Sequence, residues 1–298
     1  MKFINFIYEG SKNIGILSKN EAYIIEINSI LEGRSFKSIV DLIKNISNEE
    51  ILKLKEVVTS FDNNYKIYEL EKVKLCAPIE NPIHDVICVG VNYRDHLEET
   101  KRGFDKSNFV EVEKTVYFSK RAKNIIGSGE VIEGRFDLDE KIDYEVELAI
   151  IIGKEGKNIS KDKAEEYIFG YSIFNDISSR DLQQLHGQWY IGKSLDTYSV
   201  MGPCILYKDS VKFPIEMDIS SSLNGEIRQK SNTKMLIKDI PSIIEELSKG
   251  MTLEPGDIIA TGTPAGVGMG FDPPKFMKKG DTISCEISEI GRLINKVE

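Results

Sequence analysis

The sequence is poor in the residues that most often carry covalent or metal chemistry, with four cysteines, three histidines and one tryptophan in 298 residues. The cysteines, Cys76, Cys88, Cys204 and Cys285, lie far apart among apolar neighbours and never form C-x-x-C, which predicts buried free thiols and argues against a disulfide framework or a zinc site. No apolar run approaches the ~18 residues that cross a bilayer, so no membrane association is expected. The amino terminus carries Glu9 and no small-residue cleavage site, which argues against a secretory signal and for a cytoplasmic protein. A basic stripe is also lacking. The 39 Lys and Arg are interleaved with 48 Asp and Glu, giving a net charge of −9, and an acidic surface of this kind repels phosphate backbones and disfavours nucleic-acid binding.

What is present is a length suited to one large domain or about two. Residues 1–74 read as a small α/β unit: alternating strands at Phe3–Tyr8, Asn13–Leu17 and Ala22–Ile27 precede helical periodicity at 38–44 and 49–58. Two prolines within Cys76–Pro82 stiffen the chain and place a boundary there. Residues 75–298 are strand-rich and punctuated by glycine and proline, with helical patterns only at 93–99, 161–166, 179–185 and 240–249. The strands do not alternate regularly with helices, which excludes a doubly wound parallel sheet and predicts a mixed β architecture.

Five segments carry candidate chemistry, and each also has a plain structural explanation. In Asp143-Tyr144-Glu145-Val146-Glu147-Leu148, period two puts Glu145 and Glu147 on one face; their repulsion suits a hard divalent cation, or the face is simply solvated. Asp176 ends a strand and could add a third oxygen ligand or act as a helix cap. Ser178 or Ser179 can cap a helix carrying Arg180 and Gln183 at i, i+3. His96 and Glu99 stand three apart on a helix, as a general-base pair or as an inert surface histidine would. Gly187–Ser194 satisfies the P-loop pattern letter by letter, but the expected context is helix before and extended chain after, ending at Gly202-Pro203, and Trp189 and Tyr190 are too bulky to cradle phosphate. Lys193 remains as a cation. Finally, Thr261–Gly270 runs from a strand into a glycine-rich loop that can offer N–H donors to a ligand or be an ordinary hairpin.

Taken in order, G-x-N-Y-x-x-H-x-x-E at Gly90, D-Y-E-x-E-L at Asp143, N-D-x-S-x-R-D-x-Q at Asn175, Q-W-x-x-G-K-S-x-D-T at Gln188 and T-G-T-P-x-G-V-G at Thr261 resemble the fumarylacetoacetate hydrolase family over about residues 73–298. The resemblance implies an α+β fold, a mixed β-roll with a small α/β amino-terminal domain, and a homodimer. It implies Mg²⁺ or Mn²⁺ on Glu145, Glu147 and Asp176, with His96, Glu99 and Lys193 catalytic. Arg180, Gln183, Gly262 and Thr263 fall at positions that bind substrate or orient these groups, and the segment 100–115 is expected to be an irregular lid. The implied substrate is a small anionic 2-oxo acid or 1,3-dicarbonyl carboxylate, cleaved at a C–C bond or isomerised between keto and enol forms. The alternatives are oxaloacetate decarboxylation or tautomerisation at the same site, or a catalytically silent binding protein. On this reading Glu99, Glu145, Glu147 and Asp176 are balanced by Mg²⁺, Lys193 and Arg180.

Overall fold

The computed structural model describes residues 1–60, 64–103 and 114–298. The first part runs β1 (Lys2–Tyr8), β2 (Ser11–Leu17), β3 (Tyr23–Glu26), α1 (Ile39–Asn45), α2 (Asn48–Thr59) and β4 (Ile67–Glu69). The second part contains β5 (Val86–Gly90), α3 (Arg94–Gly103), β6 (Val116–Lys120), β7 (Val146–Ile152), β8 (Ile168–Asp176), α4 (Arg180–Leu185), α5 (Tyr190–Lys193) and β9 (Ser199–Tyr207). These are followed by β10 (Asp218–Leu223), β11 (Glu226–Asn232), α6 (Ile240–Gly250), β12 (Ile258–Ala260), β13 (Thr282–Ile287) and β14 (Gly291–Val297). Of the expected 100–115 linker, α3 takes the chain to Gly103, and 104–113 lie outside the described residues. The extended run thought to end at Gly202-Pro203 instead continues through it as β9, with a register irregularity opposite, between Tyr171 and Ile173. A proline cannot donate to the ladder, and the shift accommodates it.

The large sheet has the order β4-β3-β2-β1-β9-β8-β7-β12-β5-β6, antiparallel except where β12 and β5 run parallel. Residues 1–74 join it through β1, where Lys2 faces Leu206 and Phe3 faces Ile205 of β9. The 74/75 boundary is therefore not a break in the sheet. A second sheet, β11-β10-β13-β14, is extended by Val131–Ile132. The result is an α+β fold dominated by mixed sheet.

β7 reads Val-Glu-Leu-Ala-Ile-Ile-Ile and is buried along its whole length, because each face meets a different core. Val146, Leu148, Ile150 and Ile152 pack with Ile219, Ile283, Leu293 and the apolar face of α6. Ala149 and Ile151, of opposite parity, pack with Phe174, Met201 and Ile205 in the core that also takes Leu42 of α1 and Leu54 of α2. The helices over that second face begin on local caps: Ser38 accepts from the Asp41 amide, and Ser47 with Glu50 forms a capping box. All four cysteines are buried and free.

The segment after the prolines is tied to the sheet by His84, whose Nδ1 lies 2.7 Å from Oδ1 of buried Asp257 at the start of β12. That hydrogen bond raises the His84 pKa above its ordinary value, against a smaller opposing effect of burial. A raised folded-state pKa stabilises the fold below the unfolded value of about 6.5, and the contribution disappears as pH rises through the folded value. The wild type should therefore melt above His84→Gln at about pH 5.5 by more than at about pH 8.5. Thermal melts of both proteins across that range check it, and a gap that widened with pH would contradict the assignment.

Candidate active site

Strand register assembles the acidic groups. In the antiparallel pair, Val146 faces Asn175 and Glu147 faces Phe174, and one step further the Asp176 amide donates to the Glu145 carbonyl at 2.9 Å. Glu145, Glu147 and Asp176 therefore lie at one end of two neighbouring strands, within cross-strand reach. All three are buried, and one carboxylate oxygen from each lies within 4.8 Å of the others.

Cations and amides surround them. Lys193, at the end of α5, places Nζ 2.7 Å from Glu145 Oε2 and 2.8 Å from Asp176 Oδ2. Lys120, the last residue of β6 and fully buried, pairs with Asp176 Oδ1 and donates to the Ile177 carbonyl at 2.8 Å. Arg180 meets Glu145 Oε1 at 2.7 Å with Nη1, which also donates to Gln183; its Nε and Nη2 fork onto Asp143 Oδ2 at 2.9 and 2.8 Å. These contacts decide the protonation states. Burial pushes Glu145 up, but Lys193, Arg180 and His96 outweigh it and hold the carboxyl well below its ordinary range. Glu147 goes the other way: burial and the Asp176 and Glu145 carboxylates raise it well above normal, against weaker help from Lys193 and the Gly262 amide. Burial alone would lower the Lys193 pKa, but its two carboxylates raise it, so it stays an ammonium.

The His96–Glu99 pair comes from α3, which follows β5. His96 Nδ1 lies 2.9 Å from Glu99 Oε2. Glu99 Oε1 accepts the Gly266 N–H at 2.8 Å, which joins α3 to the loop after β12. The sequence suggested that this loop offers amides to a ligand. In the structure the protein's own carboxylates take them: Gly262 N–H donates to Glu147, while Gly268 and Met269 donate to Asp143. Ionised carboxylates bury at lower cost against such donors. Thr263 is likewise engaged, donating to the Val146 carbonyl and accepting from Gln229.

Residues 85–298 match the family model described as fumarylacetoacetate (FAA) hydrolase, C-terminal. The chain belongs to this family. It is 47% identical over 231 residues, 78% of this chain and 75% of the relative, to oxaloacetate tautomerase YisK of Bacillus subtilis. Among solved structures it is similar to the fumarylacetoacetate hydrolase of psychrophilic Exiguobacterium antarcticum, with 36% identity, TM-score 0.83 and coverage of 100% and 99% of the two chains. A 2-hydroxyhepta-2,4-diene-1,7-dioate isomerase from Mycobacterium marinum gives 30% identity, TM-score 0.70 and coverage of 100% and 98%. Fumarylacetoacetate hydrolase family members are enzymes, so this chain is read as one.

The ordered motifs thus converge on one place, but some local expectations change. Ser179 occupies the cap position of α4 without capping it, because its hydroxyl donates to Asp139. The Asp139 carboxylate accepts the Asp181 amide at 2.9 Å and so caps α4 from another segment. Ser178 donates to the Asp176 carbonyl, and Asp176 caps nothing. The P-loop match, Gly187–Ser194, is the turn after α4 followed by the short helix α5, with Lys193 turned onto carboxylates. Sequence reasoning missed Lys120 and gave Asp143 no role. Asp143 shares the parity of Glu145 and Glu147, and Lys120 shares that of Phe118, whose ring lies 5.3 Å from Lys193 Nζ; both parities were readable.

The donor set fits a hard divalent cation: three buried carboxylates, no soft ligand, and one of the three, Glu147, left without a cationic partner among the described residues. Glu147→Gln removes a carboxyl that burial and two neighbouring carboxylates disfavour. In a chelator the variant should melt at or above the wild type, by up to a few degrees. Mn²⁺ should raise the wild-type Tm and leave the variant unmoved. Equal stabilisation of both by Mn²⁺ would remove Glu147 from the ligand set.

Proposed function

We propose that the protein is an oxaloacetate keto–enol tautomerase dependent on Mg²⁺ or Mn²⁺, acting on oxaloacetate or a closely similar small 2-oxo dicarboxylate. The observation that carries this reading is a supported base and a fixed ammonium meeting at one buried carboxylate cluster, in a chain 47% identical to a protein named for oxaloacetate tautomerisation. Glu145, Glu147 and Asp176 would hold the divalent cation, which would act as a Lewis acid toward the substrate and lower the cost of enolisation.

The chain's own groups carry the proton. His96 turns Nδ1 to Glu99, so proton exchange falls to Nε2, and the carboxylate stabilises the imidazolium formed when the ring takes the substrate C3 proton. The C3–H electron pair becomes the C2=C3 bond, and the C2 oxygen takes up the negative charge beside the Lys193 ammonium. The His96 imidazolium gives its proton back to that oxygen, directly or by exchange with water, which completes the enol and restores the neutral ring; the reverse path returns the ketone, so no co-reactant is consumed. Arg180 and Gln183, braced by Asp143, keep Glu145 in place. Gly262 and Thr263 fix the strand that presents Glu147. Residues 1–74 are read as an accessory α/β domain on the catalytic domain 75–298. The protein is read as a cytoplasmic homodimer, for which sedimentation should give twice 33.7 kDa.

A second reading, C–C hydrolysis of an acylpyruvate-like substrate, is favoured by the full-length likeness to the Exiguobacterium hydrolase. NMR of oxaloacetate and an acylpyruvate with Mg²⁺ separates enol–keto exchange, decarboxylation and cleavage. His96→Ala should cut the exchange rate by about 10²–10⁴ while cation affinity is retained, and Asp176→Asn should abolish cation binding and turnover together. Undiminished exchange in His96→Ala would refute the assigned base, and oxalate binding without turnover of any 2-oxo acid would point to a silent binding protein.

A further inference from the structure

The glycines of the loop after β12 are not interchangeable. Gly262 has φ +97°, and a Cβ there would lie 2.8 Å from Asn92 Cβ. Gly266 has φ +102° and backs onto the Arg228 carbonyl, while a Cβ on Gly268 would press on the Lys275 carbonyl and Asp143 Oδ1. These three meet backbone or a fixed ion pair. Gly270 differs: its φ is ordinary, and what a Cβ would strike is the distal half of the Glu99 side chain, Oε1 and Cδ well inside van der Waals contact and Cγ at 2.6 Å.

Glu99 is the group whose placement decides whether His96 is oriented. Its carboxylate is divided, Oε2 to the His96 ring and Oε1 to the Gly266 amide. The loop therefore approaches from the side opposite the histidine and closes on the carboxylate with no side chain intervening. The Gly270 N–H donates to the Val267 carbonyl at 2.9 Å, which sets the turn that brings its Cα there.

We propose that Gly270 is a positioning residue: its lack of a side chain lets the loop clamp Glu99 against His96 and so holds the base in register with the site. This rests on His96 as the base. A methyl group at 270 acts on the flexible end of one side chain, so the fold can absorb it by moving Glu99, and the dyad is what gives way.

The test is Gly270→Ala with Glu99→Ala and the double variant, each first checked for an unchanged circular dichroism spectrum and Mn²⁺ affinity. Misplacing a catalytic group by about 1 Å costs on the order of 100-fold. Gly270→Ala should therefore lower kcat for oxaloacetate exchange by about that factor, with KM within about 3-fold. Because the clash needs Glu99, the double variant should be no slower than Glu99→Ala alone. Without any substrate, the His96 imidazole ¹⁵N resonances, assigned with His96→Ala, should move in Gly270→Ala toward those of Glu99→Ala. Wild-type kcat in Gly270→Ala, losses that multiply in the double variant, or unmoved His96 resonances would each overturn the proposal. A wild type inactive on oxaloacetate whose His96 resonances nevertheless shift in Gly270→Ala would refute the substrate reading and leave the clamp standing.

Discussion

Four carboxylates, Asp143, Glu145, Glu147 and Asp176, are buried together at one end of the large sheet, and much of the surrounding structure answers that fact. Burying an ion costs several kcal/mol even after relaxation, unless partners of opposite charge and directed donors compensate. Lys120, Lys193 and Arg180 supply three positive charges from β6, α5 and α4, the first of which lies far from the other two in sequence. The remaining carboxylate, Glu147, receives a backbone amide instead of a cation. That imbalance is what the proposed cation site rests on: the protein compensates three of its four carboxylates with cations and leaves Glu147 with an amide alone.

The glycine loop follows from the same constraint. Its amides are directed at Glu147 and Asp143 of one segment and Glu99 of another, and a loop with side chains at every position could not approach all three. Asp143 shows how tightly these parts are joined. One oxygen takes the Gly268 amide, and the other takes the Met269 amide and the Arg180 fork. A shift of the loop is therefore felt at Arg180 and, through it, at Glu145. The loop thus links the charge cluster to the His96–Glu99 pair on α3 and gives them a common frame.

Much of this was legible in the sequence, for reasons that differ from residue to residue. Period two placed Glu145 and Glu147 on one face, and helical spacing placed His96 over Glu99 and Arg180 beside Gln183, because these are short-range consequences of backbone geometry. Strands and helices of the first 60 residues were readable from amphipathic periodicity for the same reason. What escaped depends on register between distant segments. Nothing near Ser119-Lys120 indicates that β6 ends beside Asp176, and nothing near Asp139 shows that it caps α4. The polar segment ending at Tyr144 did not announce a buried Asp143 either, since an aspartate before a strand is ordinarily solvated. The continuity of the sheet through β1 and β9 was hidden in the same way, because which distant strands pair is not written in the composition of the proline-rich stretch at 76–82.

The residues that escaped leave the electrostatic picture intact. Balancing Glu99, Glu145, Glu147 and Asp176 against Lys193, Arg180 and a divalent cation omits Asp143 and Lys120, which carry opposite charges and are both buried in the cluster. Adding them leaves the balance where it was and changes its meaning. The lysines are not a reserve of positive charge for the substrate, because Lys193 is held by two carboxylates and Lys120 by one carboxylate and a carbonyl. Lys193 can stabilise charge that develops beside it, yet an incoming dianion meets a cluster whose cations are already engaged. In a chain of net charge −9, the proposed function therefore requires the attraction for such a substrate to come from a divalent cation, and on that reading the carboxylates that make the site costly to fold are the same groups that would make it selective for an anion.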